Sequence, residues 1–199
     1  MLIEDENESA GAAADRRNGG KRHASVLLVG RVWRGGVASA CLVHDISAGG
    51  LKARLTVAPT IGEELLVEVR GLPPVRAAVR WVNGRKAGLQ FIEPQPVEHV
   101  FQLNRHDGVI ARAPRFNVEA AAIVRLDAER FNATLVDISA GGAKLAAEHA
   151  VDTGQAGQML LVDTGTALFG KVCWADEGRF GFRFVAPLPL DALTRILGG

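Results

Sequence analysis

The sequence predicts a mainly β protein made of two tandem, six-stranded antiparallel barrels, each followed by a C-terminal helix. Three observations predict this. A block of about 90 residues occurs twice, each copy breaks into six short β-type runs punctuated by glycine turns, and a proline-led amphipathic segment closes each copy. The composition agrees: 48% of the 199 residues are hydrophobic, 6% are aromatic with no tyrosine, and glycine reaches 23. Short strands and tight turns suit that mixture better than a helical bundle. With 23% charged residues and a mean hydropathy of +0.12 the chain is globular.

The repeat is carried by two separate matches. His44-Asp45-Ile46-Ser47-Ala48-Gly49-Gly50-Leu51-Lys52 recurs as Val136-Asp137-Ile138-Ser139-Ala140-Gly141-Gly142-Ala143-Lys144, an offset of 92 from Asp45 to Asp137. Downstream, Val79-Arg80-Trp81 and Gly88-Leu89-Gln90-Phe91 recur as Val172-Cys173-Trp174 and Gly181-Phe182-Arg183-Phe184, an offset of 93 from Trp81 to Trp174. Two matches in one order at nearly one offset mark a tandem duplication.

In the first copy the β-type runs are 25–33, 37–44, 51–55, 64–70, 75–82 and 86–91. Gly35-Gly36, Ala48-Gly49-Gly50, the segment 71–74 and Asn83-Gly84 separate them as hairpin turns, where glycine accepts positive φ at low cost. The second copy repeats the pattern at 118–126, 132–137, 143–147, 159–162, 168–174 and 180–184. About six short strands per copy call for closure into a barrel, which hides the edges. Pro96 then opens a helix with Val97, Val100, Phe101 and Leu103 on one side, and Pro189 one with Leu190, Leu193, Ile196 and Leu197. These faces serve as lids or as inter-domain packing. The expected organisation is a disordered acidic arm at 1–15, a first domain at 16–105 and a second at 106–199.

Composition and motifs exclude several function classes. The net charge of +1 gives no global basic footprint, so no nucleic-acid partner is expected. Cys41 and Cys173 are far apart and form no CxxC pair. No apolar run approaches the roughly 18 residues of a membrane span. The start has no apolar core of a signal peptide, which points to the cytoplasm. Gly19-Gly20-Lys21 is followed by Arg22 where a phosphate-binding loop needs Ser or Thr. Ile46-Ser47-Ala48-Gly49 has Asp45 where a nucleophile elbow needs Gly. The five histidines, His23, His44, His99, His106 and His149, show no metal-ligand spacing and read as structural or solvated. No enzyme, metal or cofactor is expected.

What recurs is Asp-x-Ser-x-x-Gly after a strand. By itself this is a turn, with Asp and Ser side chains bonding nearby backbone N–H groups. Each copy is also preceded by basic residues: Arg16-Arg17-Asn18-Gly19-Gly20-Lys21-Arg22 before the first and Arg112-Ala113-Pro114-Arg115 before the second. From Arg16 to His44 no acidic residue occurs. A solvated basic strand edge that deters edge pairing is the plain reading of that stretch.

The combination resembles the PilZ family, whose signature is RxxxR followed some twenty to thirty residues later by [D/N]xSxxG. The resemblance covers both halves, including the late Trp81 and Trp174 and the closing Gly-x-x-Phe. It implies a six-stranded barrel with a C-terminal helix, and binding of the bacterial second messenger cyclic di-GMP. The ligand-binding residues it implies are Arg16, Arg17, Lys21, Arg22, Asp45, Ser47, Gly49 and Gly50. Arg112, Arg115, Asp137, Ser139 and Gly142 form a weaker second group.

The chemistry suits that ligand. Arg offers paired donors to guanine O6 and N7 and to phosphate, Asp accepts from the guanine edge, Ser adds a hydroxyl, and Gly allows close approach. Arg17 and Arg22 stand one residue further apart than the pattern, and the regular spacing would pair Arg17 with Lys21. In the second copy Ala111 occupies the place of the first arginine. Domain 1 is therefore the expected binding domain and domain 2 a degenerate one. The function the resemblance implies is a receptor that relays the messenger to a protein partner. The alternative is a ligand-independent interaction module that kept only the barrel.

Overall fold

The computed structural model describes residues 27–101 and 112–198. The first barrel comprises β1 (Leu28–Arg34), β2 (Val37–Ser47), β3 (Gly50–Leu55), β4 (Glu64–Val69), β5 (Leu72–Asn83) and β6 (Lys86–Phe91), followed by α1 (Glu98–Phe101). The second comprises β7 (Phe116–Leu126), β8 (Glu129–Ser139), β9 (Gly142–Ala146), β10 (Ala156–Leu161), β11 (Thr166–Asp176) and β12 (Arg179–Phe184), followed by α2 (Leu190–Ile196). Every strand pair is antiparallel. The order β1-β2-β3-β6-β5-β4 closes on itself through β4 and β1, and β10-β11-β12-β9-β8-β7 closes through β7 and β10. Closure leaves no edge strand in either sheet.

Strand alternation builds each interior. Val43, Ile46, Ala53, Val67, Val79 and Leu89 fill barrel 1, while Leu135, Ile138, Leu145, Met159, Phe180 and Phe182 fill barrel 2. Tight two-residue turns set the registers. Gly35 and Gly36 lie at φ 54° and 84° between the paired Arg34 and Val37, the twist a type I′ hairpin requires.

Several strands are longer than the sequence suggests. β2 continues through Asp45–Ser47 because a bulge at His44 absorbs the break in alternation. β5 also begins at Leu72, so Pro73 and Pro74 lie inside the strand and not in the expected turn. They sit exposed near its start, where a missing N–H is tolerated. The first helix has four described residues, and Leu103, expected on its face, lies outside the described residues.

Helix α2 places Leu190, Leu193 and Ile196 into the barrel 2 core. It also packs on β2 of barrel 1, and Asp191 accepts an ion pair from Arg54 of β3 at 3.2 Å. Ala40, flanked by Val29 and Leu42, joins the barrel 2 core from the outer face of β1 and β2. Both expectations for this helix, lid and inter-domain surface, therefore hold.

Candidate ligand-binding face

The repeated hairpin is rigidly tied to its own barrel. The Ser47 hydroxyl donates to the Gly50 carbonyl at 3.3 Å, and Ser139 to Gly142 at 3.1 Å. The serine thus closes the turn by donating to a carbonyl, where the sequence suggested an acceptor for backbone N–H groups. The Ala48 and Gly49 carbonyls accept from Gln95 and Phe91 N–H at 2.8 and 3.0 Å. The Ala140 and Gly141 carbonyls accept from Leu188 and Phe184 at 2.7 and 3.1 Å. Gly50 is required by crowding: a Cβ there would lie 2.2 Å from the Leu89 carbonyl oxygen. Gly49 has open space around it and no left-handed φ, so the turn makes no steric demand on it.

Two bulges aim side chains outward from this hairpin. The register slips between Val43 and Asp45 on β2 and between Val79 and Trp81 on β5. Each slip turns two consecutive residues, His44-Asp45 and Arg80-Trp81, to the outer surface. Trp81 pairs with Gly88 in register, and a Cβ on Gly88 would fall 2.0 Å from the indole Nε1. The glycine is what allows the indole to lie flat on β6. Trp174 and Gly181 repeat the arrangement.

The result in domain 1 is an open basin of about 480 Å³. Asp45, Ser47, Gly49 and Gly50 of the expected set line it together, joined by Lys52, Arg80, Trp81 and Gln90. Lys52 is the ladder partner of Asp45, and its Nζ stands 6.0 Å from the Trp81 ring. Arg80 Nε donates to Gln90 Oε1 at 2.6 Å. Among the described residues Asp45 forms no ion pair. Lys52 and Trp81 carried a usable signal, since both recur in the second copy, whereas Arg80 and Gln90 reach the basin only through β5–β6 pairing. Arg16, Arg17, Lys21 and Arg22 lie outside the described residues.

The corresponding face of domain 2 is arranged differently. Arg115 Nη1 lies 3.1 Å from Asp137 Oδ1 in an ion pair. Ser139 and Ala140 are buried, where Ser47 and Ala48 are not. Arg31 of barrel 1 donates from Nη1 to the Arg115 carbonyl at 2.8 Å. The Arg31 guanidinium is itself held by two hydrogen bonds to Glu68 Oε2, at 2.8 and 2.6 Å, and lies 4.4 Å above the Trp33 ring. Arg115, Asp137, Ser139 and Gly142 thus come together. Arg112 does not join them; it lines a separate hollow with Glu68, Pro73 and His99.

Among the described residues no group of three or more His, Cys, Asp or Glu is placed to hold a metal ion, and no helix is long and apolar enough to cross a membrane. Residues 17–105 and again 110–198 match the PilZ domain. The chain belongs to the PilZ-domain family. Each PilZ domain supplies one closed barrel and one copy of the signature hairpin. Solved structures with similarity to this tandem PilZ chain include Borreliella burgdorferi PlzA in complex with c-di-GMP, at 12% identity and a TM-score of 0.42, with 85% of this chain and 86% of that one covered. Another is Escherichia coli YcgR in complex with c-di-GMP, at 15% identity and a TM-score of 0.36, with 86% and 83% covered. The Bacillus subtilis inhibitor of motility MotI is 13% identical at a TM-score of 0.32, with 86% and 92% covered. A search of curated proteins finds no match.

Proposed function

We propose that this protein is a cyclic di-GMP receptor with one binding face, in the first PilZ domain, and that it acts by binding and not by catalysis. The observation that carries the reading is the open basin in which Asp45, without an ion pair among the described residues, stands beside Lys52, Arg80 and the exposed Trp81. PilZ membership adds support, since binding this messenger is the family's usual activity.

Each group has a matching partner on the ligand. The Asp45 carboxylate accepts from guanine N1–H and N2–H₂, and the Trp81 face offers a platform for a purine. Lys52, Arg80 and the basic residues Arg16, Arg17, Lys21 and Arg22 supply cations for two phosphates and for guanine O6 and N7. Ser47 and Gly50 set the hairpin that presents Asp45. The occupied Asp137 favours a different role for domain 2, as a structural or partner-facing barrel through which the messenger state reaches a protein target.

Titration calorimetry of the full chain with cyclic di-GMP tests this. Saturable binding at a single class of site is expected, weakened at least about tenfold by Arg22→Ala and by Asp45→Ala, since a charge-assisted hydrogen bond contributes about 1.5–3 kcal/mol. A titration curve that neither substitution changes, or no binding at all, rejects the reading.

A further inference from the structure

A second hollow opens at the junction of the two barrels, away from the signature hairpin. It occupies about 620 Å³ between the start of β2, the residues after β3 and the β5–β6 turn on one side and α2 on the other. Ser39, on its wall, is six residues before Asp45 on the same strand. At about 3.3 Å per residue that is roughly 20 Å, so the hollow and the messenger basin lie at opposite ends of β2.

Its lining divides by chemistry. Ala38, Ala40, Val57 and Leu197 form an apolar floor, and Val57 is left 63% exposed. Thr194 of α2 also lines the space. Arg85, on the β5–β6 turn, and Arg195, on α2, reach the hollow from opposite barrels. Among the described residues neither guanidinium is in an ion pair, while the acidic residue on the wall, Asp191, is already engaged by Arg54. The hollow therefore carries two positive charges without an ion-pair partner among the described residues and an apolar floor, in the size range of small-molecule sites and at the domain boundary where such sites concentrate.

We infer that this junction binds a small amphipathic organic anion. The anionic head sits between Arg85 and Arg195, and the apolar body lies on Ala38, Ala40, Val57 and Leu197. Guanidinium groups suit carboxylate, sulfonate or phosphate heads because their fork matches the paired oxygens. Such a ligand touches barrel 1 and α2 at once, so its occupancy ties the two barrels together independently of the messenger face.

The test uses the full-length chain and the aromatic sulfonate 1-anilinonaphthalene-8-sulfonate as a fluorescent probe, with octanoate as competitor. One saturable site is expected, with octanoate displacing the probe. The double variant Arg85→Ala/Arg195→Ala weakens binding at least tenfold, and Ala38→Trp, which fills the hollow from an exposed position, removes it. Near-ultraviolet circular dichroism shows that both variants keep the native fold, and Asp45→Ala leaves probe binding unchanged. Absence of saturable binding by the unaltered chain, or binding that survives both sets of substitutions, overturns the assignment.

Discussion

Arg115 Nη1 stands 3.1 Å from Asp137 Oδ1, whereas the equivalent carboxylate of the first domain, Asp45, meets no cation of the described residues within ion-pair distance. The two signature hairpins are otherwise nearly superimposable in their bonding, down to the serine hydroxyl on the glycine carbonyl. What differs is the charge each aspartate has left to offer. Asp137 is largely covered, with a side-chain exposure of 15%, and is neutralised from within its own domain. Arg115 is held in place through its backbone by Arg31 of the other barrel. The second hairpin is thus part of how the barrels are joined.

The full chain should accordingly bind one equivalent of cyclic di-GMP, and Asp137→Asn should leave that affinity within about twofold. The ion pair is partly exposed, so its loss should cost at most about 1 kcal/mol of stability. A calorimetric stoichiometry of two, falling to one in Asp137→Asn, would contradict the division of roles.

In the first domain the ordering of effects is specific. Lys52→Ala removes a cation but no guanine-edge acceptor, so it should weaken binding by about tenfold, near the low end of the 1.5–3 kcal/mol range. It should also flatten the salt dependence of the affinity. Asp45→Ala should weaken binding with little change in the salt slope. Identical salt slopes for Lys52→Ala and the unaltered protein would show that Lys52 does not face a phosphate.

The pairing of Trp81 with Gly88 gives a steric prediction. A methyl group on Gly88 would stand 2.0 Å from the indole Nε1, so Gly88→Ala must expel the indole from the face of β6. Such overpacking should cost about 1–3 kcal/mol in chemical denaturation. It should also reduce cyclic di-GMP affinity as much as Trp81→Ala does, because a lost purine platform is worth about 1–3 kcal/mol. If Trp81→Ala binds the messenger normally, the indole serves the barrel alone.

The barrels were legible because duplication printed the same strand-and-turn pattern twice, and alternating Val, Leu and Ala marked the inward positions. The end of β2 was not, since a bulge at His44 keeps the strand paired where its alternation breaks, and neither was the start of β5, since Pro73 and Pro74 read as a turn. Asp45 and Ser47 were visible as a motif, but the hydroxyl's acceptor was not, because a serine before a two-residue turn can reach either backbone polarity. Lys52, Arg80 and Gln90 come from three strands and meet only after pairing. The Arg31–Arg115 contact spans 84 positions and follows no local pattern, so nothing in the chain announces it.

His44 supplies a pH dependence with a definite sign. Its Nε2 is buried without a hydrogen-bond partner beside the β2 bulge. Desolvation first, then Lys86, Lys52 and Arg54 in that order, hold its pKa below the ordinary 6.5. These cations come from β6 and β3, and Asp45 follows His44 on its own strand, while Asp191 is engaged by Arg54. Since the folded chain resists protonation that the unfolded chain accepts, His44 makes no difference to stability above about pH 6.5. Below that value the unfolded state takes up the proton first, and stability falls until the folded-state pKa is passed. The thermal midpoint of the unaltered protein should therefore drop more steeply below pH 6.5 than that of His44→Gln, the two running parallel above it. Parallel curves across the whole range would mean that His44 protonates as freely in the folded chain as in the unfolded one.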